Sequence, residues 1–359
     1  LISDSCRPGK VVLIGSGETS SSGGKVFDSL AQEIDHIPLR IAIMETPAGF
    51  ELNSAQVAGR IASFLEVRLQ NYSPSITVIP ARKRGTVFSP DNLDILQSLI
   101  SADIIFLGPG SPTYTIRQLK DSLAWQIIQA CHRQGAILVL ASAAVIAFGA
   151  KALPIYEIYK VGQDIHWVNG LNFWRPYGLP LTLIPHWNNT DGGIELDTSH
   201  CFMGVERFNQ LLELLVRDQV IIGIDERTSF VMDFTNKTFS IEGDGVSTII
   251  RSGIENQYHP GEIYPLELLG NFQIADLKNG IASSIWEQVT QKRSEMTEAG
   301  VIDIPEQVKE LVGLRQIARN DKDWALSDKL RDQITALGWQ VNDTPEGPQI
   351  EKRANSKRY

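Results

Sequence analysis

Six apolar residues, Ala136–Ala141, run straight into Ser142, and the alanine-rich stretch AAVIAF follows at once. A run so short and unbroken reads as a parallel strand buried on both faces. A serine at its carboxyl end then stands at a strand-to-helix corner, where the next helix points free N–H groups at a ligand. Ser142 is there either as a nucleophile or as an N-cap, the commoner use of serine at this position. A nucleophilic serine needs an imidazole to take its proton and a third group to hold that ring in the right tautomer. His186, after the later apolar run LTLIP, is the candidate base, and Glu157, fifteen residues beyond Ser142, the candidate orienting acid. The backbone N–H groups of Ala143 and of Gly110, the latter in the loop GPGSPT, are natural donors to a developing oxyanion. Each has a plainer reading: His186 as a hydrogen-bonded loop histidine, Glu157 as a solvated acid between Tyr156 and Tyr159.

Other groups that fall after strand-like runs are Glu18, Glu45, Ser111, and the segment DERT with Asp225, Glu226 and Thr228. The early loop GSGETSSSGGK is no phosphate-binding P-loop, because Lys25 is followed by Val26, and its glycine spacing is wrong for a dinucleotide fingerprint. His186, His200 and Cys201 lack compact metal-ligand spacing and a fourth group. Neither a cofactor nor a metal is therefore expected.

The elements that must position these residues alternate cleanly. Strands are predicted at Val11–Ile14, 40–44, 76–79, 104–107 and 137–140, with helices near 25–33, 54–67, 90–101 and up to Arg133 between them. This predicts an α/β, doubly wound, mostly parallel sheet with helices on both faces. Further strands are predicted at 179–184 and 220–224, with a helix near 205–216. Residues 229–269 read as short strands with turns, an antiparallel margin closing the core. The predicted organisation is a 1–270 domain, a 271–303 linker and helix, a 304–347 module of mainly two helices, and a 348–359 polar tail. In the module's second helix Trp324, Leu326, Leu330 and Ile334 mark the apolar face.

Composition narrows the class. At 359 residues, 43% hydrophobic and 21% charged, the chain has the balance of a globular protein with one large core. A net charge of -9 gives no general reason to expect a nucleic-acid surface. Cys6, Cys131 and Cys201 form neither a disulfide framework nor a cysteine-rich zinc site. No run approaches a membrane span and no leader pattern is visible, so a cytoplasmic location without membrane contact is expected.

Two resemblances follow from quoted segments. LGPGSPTYTIRQL, LASAA, PHW and GIDERT, in this order over roughly residues 10–251, resemble the cyanophycinase and aspartyl dipeptidase family, whose fold is similar to class I glutamine amidotransferases. The resemblance implies Ser142 as nucleophile, His186 as base, Glu157 as the acid completing the triad, and Gly110 and Ala143 as oxyanion donors. The family usually has glycine two residues before and after the serine, where this chain has Leu140 and Ala144, and Leu140 is the harder to accommodate. Pro109 and Pro112 remove two N–H groups from the strand-four loop. The stretch 187–208 is unlike the arginine-bearing segment a cyanophycin substrate calls for.

The run LRQIARNDKDWALSDKLRDQITALGWQVNDTPEGPQ resembles the extreme C-terminal segment of cysteinyl-tRNA synthetases, while the HIGH and KMSKS elements are absent from the rest of the chain. Arg315, Arg319, Lys322, Lys329 and Arg331 are its candidate phosphate contacts, but Asp321, Asp323, Asp328 and Asp332 are interleaved with them. Packing or assembly, including a homo-oligomer, is the favoured role of this tail, ahead of tRNA binding. For the whole chain, the reading is a serine peptidase or amidase acting on a small peptide or amide. The alternatives are a catalytically silent binding relative and, less favoured because the elbow residue is serine and not cysteine, a glutamine amidotransferase.

Overall fold

The computed structural model describes residues 7–216, 218–300, 305–320, 322–344 and 347–352. The chain divides into two compact units, Leu1–Ser294 and Glu295–Tyr359. The five early runs are β1 (Val11–Ile14), β2 (Arg40–Met44), β3 (Ser75–Ile79), β4 (Ile104–Leu107) and β5 (Ile137–Ala141). They lie parallel in one sheet, as the apolar runs predict, and their order in it is β1-β5-β4-β2-β3.

Because successive strand side chains point to opposite faces, β5 sends Ile137, Val139 and Ala141 to one face and Leu138 and Leu140 to the other. The first face is covered by α1 (Ser21–Gln32) and α2 (Ser54–Arg68) through Phe27, Leu30, Ile61 and Leu65. The second is covered by α3 (Leu93–Ile100), α4 (Pro112–Leu119), α5 (Leu123–Arg133) and α6 (Ala143–Phe148). The helical stretch expected up to Arg133 is two helices, separated at Asp121, which takes a left-handed φ of 59°. After α6 come a two-stranded ladder, β6 (Lys151–Ala152) with β7 (Val168–Asn169), and between them α7 (Ile155–Tyr159).

The later strands build a second sheet. β8 (Leu181–Ile184) runs parallel to β9 (Val220–Ile224), and β12 (Ser247–Arg251) and β13 (Ile254–Tyr258) add antiparallel, in the order β13-β12-β9-β8. The antiparallel margin of the main sheet is β10 (Thr228–Asp233), β11 (Thr238–Gly243) and β14 (Ile263–Pro265), joined to it through β1 and β10. The DERT segment is thus the corner where the chain leaves β9 and enters β10. Among the described residues no helix is long and apolar enough to cross a membrane.

The second unit contains helices Glu306–Asn320 and Trp324–Ala336, followed by a hairpin of Trp339–Thr344 with Gly347–Lys352. The sequence predicts mainly two helices here and does not mark the hairpin. The hairpin supplies Trp339 and Val341 to the small core of Val308, Val312 and Ile334. Leu330 and Ile334 face inward as predicted, whereas Trp324 and Leu326 stay exposed, with the Arg319 guanidinium over the Trp324 ring. Cys6, Asp321, Pro345 and residues 353–359 of the tail lie outside the described residues.

One buried group of the first unit gives a pH test. His132, at the end of α5, is fully buried with Phe173, Tyr177 and Phe234 around its ring. Burial, and secondarily the Arg133 charge, push its pKa down from 6.5 to about 3. Between those values the unfolded chain takes a proton that the folded chain refuses, so stability falls as pH drops from 6.5 towards 3. The His132→Phe variant is expected to lose less stability than the parent across that window, measured by urea unfolding at stepped pH; identical pH slopes would contradict the assignment.

Candidate active site

Ser142 follows the fully buried β5 with φ 51° and ψ −112°, a conformation that L-residues rarely adopt. Its amide donates to Ile14 O at 3.1 Å, tying the corner to β1, and α6 starts at the next residue. The side chain makes no cap hydrogen bond. Instead Ser142 Oγ lies 2.9 Å from His186 Nε2, so the capping alternative gives way to the pairing of serine with imidazole. Leu140 is accommodated because its side chain is wholly buried in the core on its own face of the sheet.

His186 stands two residues beyond β8, itself at φ 52°. Trp187 packs over Gly223 of β9, where a Cβ would meet the indole at 2.3 Å, and its amide donates to Ile224 O at 3.0 Å. From the other side, three consecutive left-handed residues, His200, Cys201 and Phe202, turn two amides inward. His200 N donates to Trp187 O at 2.8 Å and Cys201 N to His186 O at 3.1 Å. The histidine backbone is thereby held from both neighbours.

The ring's other nitrogen, Nδ1, lies 3.1 Å from Glu226 Oε1. A carboxylate only accepts, so Nδ1 carries the hydrogen and leaves the Nε2 lone pair facing Ser142. Glu226 is held in turn: Asn189 Nδ2 donates to Oε1 at 2.9 Å, and the Glu226 amide donates to Asn188 Oδ1 at 2.8 Å. The register explains the convergence. Ser229 of β10 and Ala141 of β5 both pair with Ile14 of β1, so the DERT corner and Ser142 emerge at the same end of the sheet. Gly15 closes the join, with its amide on Thr228 O at 2.9 Å and no room for a Cβ, which would sit 2.1 Å from Asp225 O.

Glu157 does not reach the imidazole. It comes from α7, where its Oε1 accepts from Thr113 Oγ1 at 2.6 Å and its Oε2 is buried with no hydrogen bond. Spacing along the chain misled here, because α7 turns towards α4 while the second sheet delivers a different glutamate. Glu226 was visible as a carboxylate after a strand. The two amides of PHWNN, directly after the histidine, were the unused signal for which carboxylate is buttressed.

The remaining candidates divide by role. Ala143 opens α6, so its N–H has no intrahelical acceptor. Gly110, at φ 148°, presses on the loop after β2, where an added Cβ would lie 1.9 Å from Pro47 O. Pro112 is the first residue of α4, where a missing N–H costs nothing, and Ser111 caps that helix. Glu45 is buried and bound to Arg82 Nε at 2.6 Å and Ser54 Oγ at 3.0 Å, which makes it an anchor of its loop. Asp225 Oδ2 accepts from Val246 N, and burial raises its pKa. Thr228 Oγ1 bridges Glu226 O and Gly245 N. Glu18 lies in the turn between β1 and α1.

A structure of a peptidase from an acI-B1 Actinobacterium superposes with a TM-score of 0.57, over 72% of this chain and 98% of that one, at 22% identity. The two share a fold. No family model matches the chain. A short segment is similar to a C-terminal region of cysteine–tRNA ligases: 49% identical over 49 residues to ligase 1 of Burkholderia lata, and 46% over 59 residues to that of Methanosarcina acetivorans. These cover 14% and 16% of this chain and 10% and 12% of the ligases, so the chain spans about a tenth of their length.

Proposed function

We propose that the first unit is a serine hydrolase cleaving a peptide or amide bond, with Ser142 as nucleophile, His186 as general base and then acid, and Glu226 as the group that orients the ring. The observation carrying this reading is the chain Ser142 Oγ to His186 Nε2 at 2.9 Å and His186 Nδ1 to Glu226 Oε1 at 3.1 Å. As Ser142 Oγ bonds to the substrate carbonyl carbon, its proton passes to Nε2, and Glu226 stabilises the imidazolium. The amides of Ala143 and Gly110 receive the charge that develops on the carbonyl oxygen. His186 then protonates the leaving amine as the C–N bond breaks, leaving an acyl ester on Ser142. A water, deprotonated by the same nitrogen, attacks that ester and releases the acid with Ser142 restored. A fluorophosphonate probe is expected to label the parent and not Ser142→Ala; equal labelling of both would remove Ser142 from the mechanism.

For the second unit we propose packing or assembly ahead of tRNA contact, although the likeness to the tRNA ligases is the motive for testing the latter. Of its five candidate phosphate contacts, Arg315 is buried and Arg319 lies over Trp324. Filter binding of bulk tRNA across a salt series is expected to give weak affinity, the same for the whole chain and for one ending at Ala299. Tight binding that falls steeply with salt and vanishes on truncation would reverse the preference.

A further inference from the structure

We propose that Glu157 is the positioning residue of the loop that carries the Gly110 amide, acting through the hydroxyls of Thr113 and Ser111. The inference rests on the serine-hydrolase reading above and gives a role to a carboxylate that reading leaves unused. Because a carboxylate only accepts, the 2.6 Å contact uses the single hydroxyl hydrogen of Thr113. The 3.1 Å contact between Ser111 Oγ and Thr113 Oγ1 is then donated by Ser111. The direction of both bonds is set at Glu157.

Ser111 is consequently fixed on every side. Its Oγ accepts the Tyr114 amide at 3.2 Å as the cap of α4, while its own amide donates to Pro47 O at 2.9 Å. Pro47 is itself steadied by its neighbour Thr46, whose hydroxyl donates to Ala81 O at 2.6 Å. Gly110 lies between these restraints, against the Pro47–Ala48 backbone and with no space for a Cβ. Glu157 meets Thr113 from 44 residues away in the chain, so the link is tertiary and joins α7 to the start of α4, the helix that packs on α6 behind Ser142. An oxyanion donor works only within about 2.7–3.1 Å of the developing charge, so releasing the Ser111 hydroxyl slackens the placement of the neighbouring amide.

The test is the second-order rate of fluorophosphonate labelling at Ser142, with melting temperature recorded for each protein. Loss of a whole oxyanion donor costs roughly 10²–10³ in rate, so slackening one is expected to slow Glu157→Ala and Thr113→Val by about tenfold each. Acting through one chain of bonds, the pair should be non-additive, with the double variant no slower than either single one. Glu157→Gln keeps an acceptor for Thr113 and should label within about threefold of the parent. Should Glu157→Ala fail to fold, Thr113→Val, which removes one hydroxyl at nearly constant volume, carries the test. Parent-like labelling of Glu157→Ala or Thr113→Val, fully multiplicative losses, or a glutamine variant as slow as the alanine one would overturn the proposal while leaving the hydrolase reading intact. A parent that is not labelled at Ser142 would overturn both.

Discussion

The candidate site of the first unit depends on holding one serine in a backbone conformation it does not favour. A non-glycine residue in such a region costs about 1–3 kcal/mol and persists only where its surroundings over-determine it. Here they do. β5 lies between β1 and β4 with no exposed residue, the Ser142 amide is bonded to β1, and α6 begins at once with six buried residues. The strain lifts the hydroxyl out of the helix-capping position and aims it at an imidazole.

The same device recurs around the site. His186 at φ 52° and Arg227, beside Glu226, at φ 55° are also left-handed without being glycine, and so are the three residues 200–202 that grip the histidine loop. His186 and Arg227 stand just past the ends of β8 and β9, and residues 200–202 stand where the chain turns into the helix Gly204–Glu213. The packing of two sheets through one corner, DERT, makes these turns mutually dependent: Arg227 N donates to Ser16 O beyond β1, while Glu226 is held by the loop after β8. His186 after β8 and Glu226 at the corner between the two sheets are in this way locked to Ser142 at the end of β5.

The parallel sheet, its two helical layers and the pairing of Ser142 with His186 were legible because each rests on a local pattern: short apolar runs, then a polar residue at the carboxyl end. Glu226 was legible only as a strand-end acid. Its pairing depends on the register that aligns Ser229 and Ala141 on Ile14, and a single sequence carries no record of cross-strand register. The second sheet stayed hidden for the same reason, since β8 and β9 read as further short strands whichever sheet they join. In the second unit, Trp324 and Leu326 fit the helical period, yet the core closes on Trp339 and Val341 from a hairpin that residue spacing did not announce.

Glu226, and not Glu157, is the carboxylate hydrogen-bonded to the His186 ring, and its contact at Nδ1 sets the tautomer. Nitrogen NMR of histidine-labelled protein, with the His186 ring assigned by comparison with His186→Gln, reports it directly. Hydrogen on Nδ1 is expected in the parent and in Glu157→Ala, with a mixture of tautomers in Glu226→Ala. A parent ring protonated on Nε2, or a tautomer that shifts in Glu157→Ala and not in Glu226→Ala, would contradict it.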